Sequence, residues 1–132
     1  MQNNQLKQLI DTSSRIILKV GSSLLINENN NDINYHWLNN FSKEIQSLTD
    51  KKKQIMIVSS GSVALGRKQL NLVKNLSLDE KQAAAAVGQI HLSHAWKEVL
   101  KSFNLESAQI LLAPDDTETR RKHLNARATL LK

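Results

Sequence analysis

A chain of 132 residues, with no cysteine, one proline and four glycines, has room for one domain and not two. Such a length buries about two-thirds of its unfolded surface, enough for a core without covalent staples, and the missing cysteines exclude disulfides, thiolate nucleophiles and Cys-ligated metal centres. The net charge of +6 does not read as a nucleic-acid footprint: 13 lysines are scattered among 13 asparagines, and only 4% of residues are aromatic, so bases would find few rings to stack on.

Residues 1–14, MQNNQLKQLIDTSS, are polar with little periodicity and read as a tail. They lack the basic start and apolar stretch of a secretory signal, and no apolar run approaches the ~20 residues of a membrane span, so a cytoplasmic protein with no membrane partner is expected. RIILKV (15–20) is a short apolar, β-branched run halted by Gly21. A similar run at 55–59 is followed by Gly61, and AQILLA (108–113) is halted by Pro114. None of the three alternates polar with apolar residues, the pattern of strands covered on both faces. INENNNDIN (26–34) reads as an Asn-rich connection.

Helical patterns lie between the runs. Leu38, Phe41, Ile45 and Leu48 fall on one face of a helix, with the lysines of 51–53 at its C-terminus, where cations suit the dipole. A short helix should follow Gly61. A longer one opens at Ser77, with Glu80 completing a capping box, and carries the stripe Leu92, Ala95, Trp96, Val99 and Leu100 before Phe103. Within it, AAAAVG (83–88) has side chains small enough for another backbone to approach closely. A last pattern, with Leu124, Ala128 and Leu131, runs to Lys132 with no Gly, Asn or Pro to end it. Strand, helix, strand, helix, helix, strand, helix predicts an α/β fold with a mainly parallel sheet. Three strands make a thin sheet with an exposed edge.

Ligands of open parallel sheets bind outside the carboxyl ends of the strands, which singles out three segments. The first is KVGSS, with Lys19, Gly21, Ser22 and Ser23; the second is SSGSVALG, with Ser59, Ser60 and Gly61; the third is PDDTETRR, with Asp115 and Asp116. Glycines that admit backbone N–H groups to phosphate oxygens, helix N-termini and a lysine suit an anionic substrate. Taken alone, Gly21 and Gly61 fit turn glycines as well as phosphate-loop glycines, and Ser59 and Ser60 fit a helix N-cap pair. Lys19 in an apolar strand should face a site unless the strand end is exposed, because burying its charge unpaired is costly. GSVALGRK (61–68) is not a Walker motif, since Arg67 and Lys68 stand where Lys and Ser or Thr are required. His91 and His94 lack a third metal ligand, Asp115 and Asp116 fit a helix start after Pro114, with Thr117 or Asp116 as its cap, and no metal ligand set is assigned.

Together these segments resemble the glutamate 5-kinase branch of the amino-acid kinase family. The matching stretches are RIILKVGSSLL (15–25), IMIVSSGSVALGRKQL (55–70), KQAAAAVGQIHLSHAWKEVL (81–100) and AQILLAPDDTETRRKHLNARATL (108–130), in the family's order. The kinase half of the bifunctional pyrroline-5-carboxylate synthases shares the pattern. The resemblance implies an αβα sandwich that moves the γ-phosphoryl of ATP, with Mg²⁺, to the side-chain carboxylate of L-glutamate, the first step towards proline. It implies that Lys19 binds ATP phosphate and steadies the transferring group, that Gly21, Ser22 and Ser23 line the phosphate loop, and that Ser60 and Gly61 contact glutamate. Proline as feedback inhibitor and a homo-oligomer for the complete enzyme are implied as well.

The sequence departs from the family at Ala113 and Pro114, where Thr-Arg is usual. The family pattern also continues beyond residue 132, with an acidic, Asn-rich segment, an adenine pocket and a second catalytic lysine. Residues 15–132 are therefore expected to be the N-terminal part of the kinase domain, incomplete at the C-terminus and inactive alone. Two other classes compete. A non-catalytic module docking on a kinase chain is suggested by the sheet edge and the small residues at 83–86. An RNA-binding protein is suggested only by the charge.

Overall fold

The computed structural model describes residues 2–27, 29–73 and 75–131. The first run forms β1 (Arg15–Val20) and the second β4 (Gln54–Ser59); they pair in parallel, with Leu18 beside Ile57 and Val20 beside Ser59. Side chains alternate across a strand, so Ile16, Leu18, Val20, Ile55, Ile57 and Ser59 share one face. That face is covered: Leu18, Val20, Ile55 and Ile57 join the core with the helical residues Leu38, Ile45, Leu92, Ala95, Trp96 and Val99.

The other face differs from the expectation of strands buried on both sides. Ile17 is 62% exposed and Val58 50%, and Lys19 stands exposed between them in the pleat. The apolar character of these strands therefore outruns the cover that the described residues supply.

Between the strands the chain makes α2 (Ser22–Leu25), a small antiparallel pair β2 (Ile26–Asn27) and β3 (Asp32–Ile33), and α3 (Tyr35–Asp50). The expected plain connection at 26–34 is thus a hairpin. Its turn is built from asparagine: Asn27 Oδ1 accepts from the Asn29 N–H at 3.0 Å, Asn30 Oδ1 accepts from the Asp32 N–H at 3.1 Å, and Asn31 takes a positive φ of 49° that asparagine tolerates. Glu28, within that connection, lies outside the described residues. Asn34 caps α3, its Oδ1 accepting from the Trp37 N–H at 3.1 Å, and the predicted stripe turns Leu38 and Ile45 into the core.

After β4 come α4 (Ser62–Gln69) and α5 (Leu78–Ser102). The capping box at Ser77 and Glu80 forms as the sequence predicts. The small-residue segment is used within the chain: α4 lies so close along α5 that a methyl on Gly66 would meet the Ala84 carbonyl oxygen at 1.8 Å, and one on Gly88 the Ser62 carbonyl oxygen at 1.8 Å. Trp96 of α5 reaches the sheet, its Nε1–H donating to Ser59 Oγ at 3.0 Å, and meets Phe41 edge-on.

Two expectations are corrected at the ends of the chain. The segment read as a tail contains α1 (Gln2–Thr12), whose terminal carbonyls are held from afar: Lys53 Nζ donates to the Asp11 and Ser13 oxygens at 3.0 and 2.6 Å. Lys53 thus serves the C-terminus of α1, not the dipole of α3 as its place in the lysine run predicts. AQILLA (108–113) is not a strand. It finds no ladder partner among the described residues, and Ile110, Leu111 and Leu112 stand exposed, Leu111 by 71%. A β-prone run becomes a strand only when a neighbour takes its backbone groups.

The chain ends in α6 (Pro114–Glu118) and α7 (Arg120–Leu130), neither with a buried residue. Leu131 caps α7, and Lys132 lies outside the described residues. No described helix is long and apolar enough to cross a membrane.

Candidate functional site

Parallel pairing places the carboxyl ends of β1 and β4 side by side, and two of the three predicted segments meet there. The Ser60 N–H donates to the Val20 carbonyl oxygen at 3.1 Å, and Ser60 Oγ donates to the same oxygen at 3.2 Å. Each strand then turns directly into a helix. Gly21 is the N-cap of α2 and Gly61 the N-cap of α4, and neither helix has a side-chain cap. Two helix N-termini with their first N–H groups unserved by side chains therefore stand together, giving this end of the sheet a positive potential suited to an anion.

The two glycines differ. Gly61 has φ 121°, and a methyl there would stand 3.0 Å from Ile26 Cγ1 and 3.8 Å from Ser22 Cβ. Both the backbone and the space require glycine. Gly21 has an ordinary extended conformation, φ −75° and ψ 154°, and its nearest neighbour would be Ser23 Oγ at 3.8 Å. The fold does not require glycine at position 21. Ser22, Ser23 and Ser60 are exposed, within reach of a ligand.

Lys19 lies one residue before the end of β1 on the open face, exposed, and makes no ion pair or hydrogen bond among the described residues. Exposure of the strand end, rather than a buried partner, explains how an apolar strand accommodates it. The N-cap reading of Ser59 and Ser60 is also corrected: Gly61 occupies that position, Ser59 accepts from Trp96, and Ser60 ties β4 to β1.

The third predicted segment is not brought to this end, because 108–113 does not join the sheet. Pro114 starts α6 as expected. Ala113, however, is at the N-cap position, and Asp116 reaches back to accept from the Ala113 N–H at 2.7 Å. Asp115 pairs with Lys122 and accepts from the Thr119 hydroxyl at 2.9 Å, which holds its carboxyl below the usual range. Among the described residues no three His, Cys, Asp or Glu gather as a metal site. His91 instead meets Gln69, and His36 meets Asn40. A groove of about 500 Å³ runs between α5 and Gln109 and Leu111, lined by Ile90, His94 and Lys97. None of Lys19, Gly21, Ser22, Ser23, Ser60 and Gly61 lines it.

Sequence reasoning missed Ile26, the side chain packed against Gly61. No local pattern marks it, since its role depends on a contact 35 positions away.

Residues 14–132 match the Amino acid kinase family. The chain is 46% identical over 118 residues to a glutamate 5-kinase of Paramagnetospirillum magneticum, covering 89% of this chain and 32% of that protein. To glutamate 5-kinases of Gluconobacter oxydans and Rhodopseudomonas palustris (strain BisB5) the identities are 46% over 117 residues and 49% over 119. Those alignments cover 88% and 89% of this chain and 31% and 32% of the relatives. The chain therefore spans about a third of the length of the curated relatives it matches. A family match over all but the first 13 residues agrees with a parallel β–α arrangement whose strand ends offer glycine, hydroxyl and helix N-termini, and the chain belongs to the amino acid kinase family.

Proposed function

We propose that this chain carries the phosphate-binding and acceptor-contacting loops of an ATP-dependent glutamate 5-kinase. The observation that carries this reading is the meeting of the β1–α2 and β4–α4 turns through Ser60 and Val20, with two uncapped helix N-termini beside them. In the proposed site the first turn, with Gly21, Ser22 and Ser23, takes the ATP phosphates, and Lys19 adds a point charge for the group in transfer. The second turn takes L-glutamate. With its own proton engaged by Val20, Ser60 Oγ is left to accept from the ammonium group, and the Gly61 N–H, which has no partner among the described residues, donates to a carboxylate.

A side-chain carboxylate is already a nucleophile. Its oxygen attacks the γ-phosphorus, the bond from that phosphorus to the bridging oxygen breaks, and ADP leaves with the electron pair. No general base is needed, so orientation and charge neutralisation are the protein's task. Residues 19–23 and 59–63 contain no carboxylate, so this span offers Mg²⁺ only hydroxyls and carbonyls. A cytoplasmic setting, where ATP and glutamate are abundant, fits the reading, and proline inhibition and assembly into oligomers belong to the same proposal.

The test is γ-glutamyl phosphate formation, trapped as the hydroxamate, alongside calorimetric binding of inorganic tripolyphosphate and of L-glutamate to the purified chain. Tripolyphosphate binding that Lys19→Ala weakens at least tenfold, without turnover, supports a half-site. Turnover at the rate of a complete kinase would overturn the expected inactivity of this span alone. A chain that binds neither probe would remove the functional reading.

A further inference from the structure

We propose that Ile26 is the spacer that fixes the separation between the two loops, and so between phosphoryl donor and acceptor; this rests on the functional reading above. Ile26 is 5% exposed and lies at the junction of everything involved. Its N–H donates to the Ser22 carbonyl oxygen, closing the single turn of α2 behind the β1 loop. Its side chain abuts the N-cap of α4: a methyl at position 61 would stand 3.0 Å from Ile26 Cγ1 and 3.1 Å from Cδ1, and 3.8 Å from Ser22 Cβ. One residue therefore closes the turn that begins α2 with its backbone and packs its side chain against the start of α4, beside the direct contact of the two loops through Ser60 and Val20.

The hairpin bearing Ile26 also holds α4 at its other end. Ile26 pairs with Ile33 and Asn27 with Asp32, and Asp32 Oδ2 accepts from Lys68 Nζ at 2.6 Å in the last turn of α4. The Asn34 N–H donates to the Leu25 carbonyl oxygen at 2.8 Å, closing the hairpin's base. Helix α4 is thus touched by residues 26–33 at both ends, while Gly88 fixes its flank through the Ser62 carbonyl. With the Ser60–Val20 contact holding the loops together, the bulk of Ile26 sets how closely the N-cap of α4 seats against α2. Ile26 touches neither substrate in this reading and is a positioning residue. Acceptor geometry, and with it the length of acid that reaches the donor, follows from its size.

The test separates spacing from general support. In the purified chain, tripolyphosphate and glutamate affinities are measured singly and then each in the presence of the other, for the wild type, Ile26→Val and Ile26→Ala. A spacer predicts single affinities within about twofold of wild type. The affinity for the second ligand should change by about tenfold in Ile26→Ala and less in Ile26→Val, since small misplacements act on oriented pairs. Single affinities that fall together, or coupling that does not change, would overturn the proposal; if Ile26→Ala fails to fold, Ile26→Val decides. If the wild type binds neither probe, the functional reading fails by itself. The spacer is then judged by NMR in the free chain: Ile26→Val must move the Ser22 and Gly61 amide resonances together and leave Gly88 in place, and unmoved resonances refute it.

Discussion

Two regions of the molecule use glycine in pairs, and for different reasons. In the seam between α4 and α5, Gly66 and Gly88 are buried, and any added methyl would run into backbone at 1.8 Å. At the strand ends, Gly61 is demanded by its φ of 121°, whereas Gly21 has an ordinary conformation and open space around it. Helix caps divide along the same line. The N-termini of α3 and α5, which support the core, are closed by Asn34 and by Ser77 with Glu80; those of α2 and α4, like those of α6 and α7, which bury no residue, have no side-chain cap. Where the fold needs glycine or a cap, the reason is visible inside the chain. At Gly21 neither the backbone conformation nor the surrounding space supplies such a reason.

Substitutions can break that contrast at either region. Gly88→Ala should cost the most, about 3 kcal/mol in chemical denaturation, because α5 must move off the Ser62 carbonyl; an unchanged midpoint would mean that the seam is looser than described. Gly61→Ala combines a left-handed backbone with contact on Ile26 and should cost about 2 kcal/mol. Ser77→Ala removes the cap of α5, an expected loss of about 1 kcal/mol by thermal melting, and a larger loss would show that α5 depends on its first turn more than on its buried stripe.

Asp32 gives a smaller, pH-dependent effect. The Lys68 hydrogen bond, then the Ile33 N–H, hold its carboxyl below the usual range. Its folded pKa is therefore depressed relative to the unfolded chain. The stabilisation is fully present above the unfolded value of about 3.9 and is lost as pH falls through the folded value. The pair is half exposed, so Asp32→Asn should cost less than about 1 kcal/mol at neutral pH and nothing once the carboxyl is protonated in both states. Denaturation midpoints at pH 7 and pH 2 measure the difference. Gly21→Ala should be the smallest of all in stability, within about 0.5 kcal/mol of wild type, while abolishing tripolyphosphate binding. Retained binding would remove the special status of Gly21.

Much of this was legible in the sequence where the determinants are local. The Ser77–Glu80 box needs four residues, the α3 stripe needs one helix face, and the alanine and glycine run at 83–88 announced a close backbone approach before its partner Gly66 was known. Strand–turn–helix punctuation likewise placed Gly21, Ser60 and Gly61 at one end of a sheet. What failed depended on remote groups. AQILLA has strand residues but no pairing neighbour, and the polar start is helical with its final carbonyls held by Lys53, some forty residues on. The face of β1 bearing Ile17 and Lys19 is uncovered, which composition alone cannot disclose. Within the site, Ile26 was missed for the same reason.

The bond from Trp96 to Ser59 gives the protein a built-in optical probe. The sequence holds two tryptophans: Trp37, stacked on Phe41 at 4.7 Å between ring centroids, and Trp96, whose indole N–H is bound one residue before Ser60. Replacing Trp37 with phenylalanine would leave a single emitter wired to the end of β4. Its wavelength and lifetime would follow events at that strand end in real time, without a label.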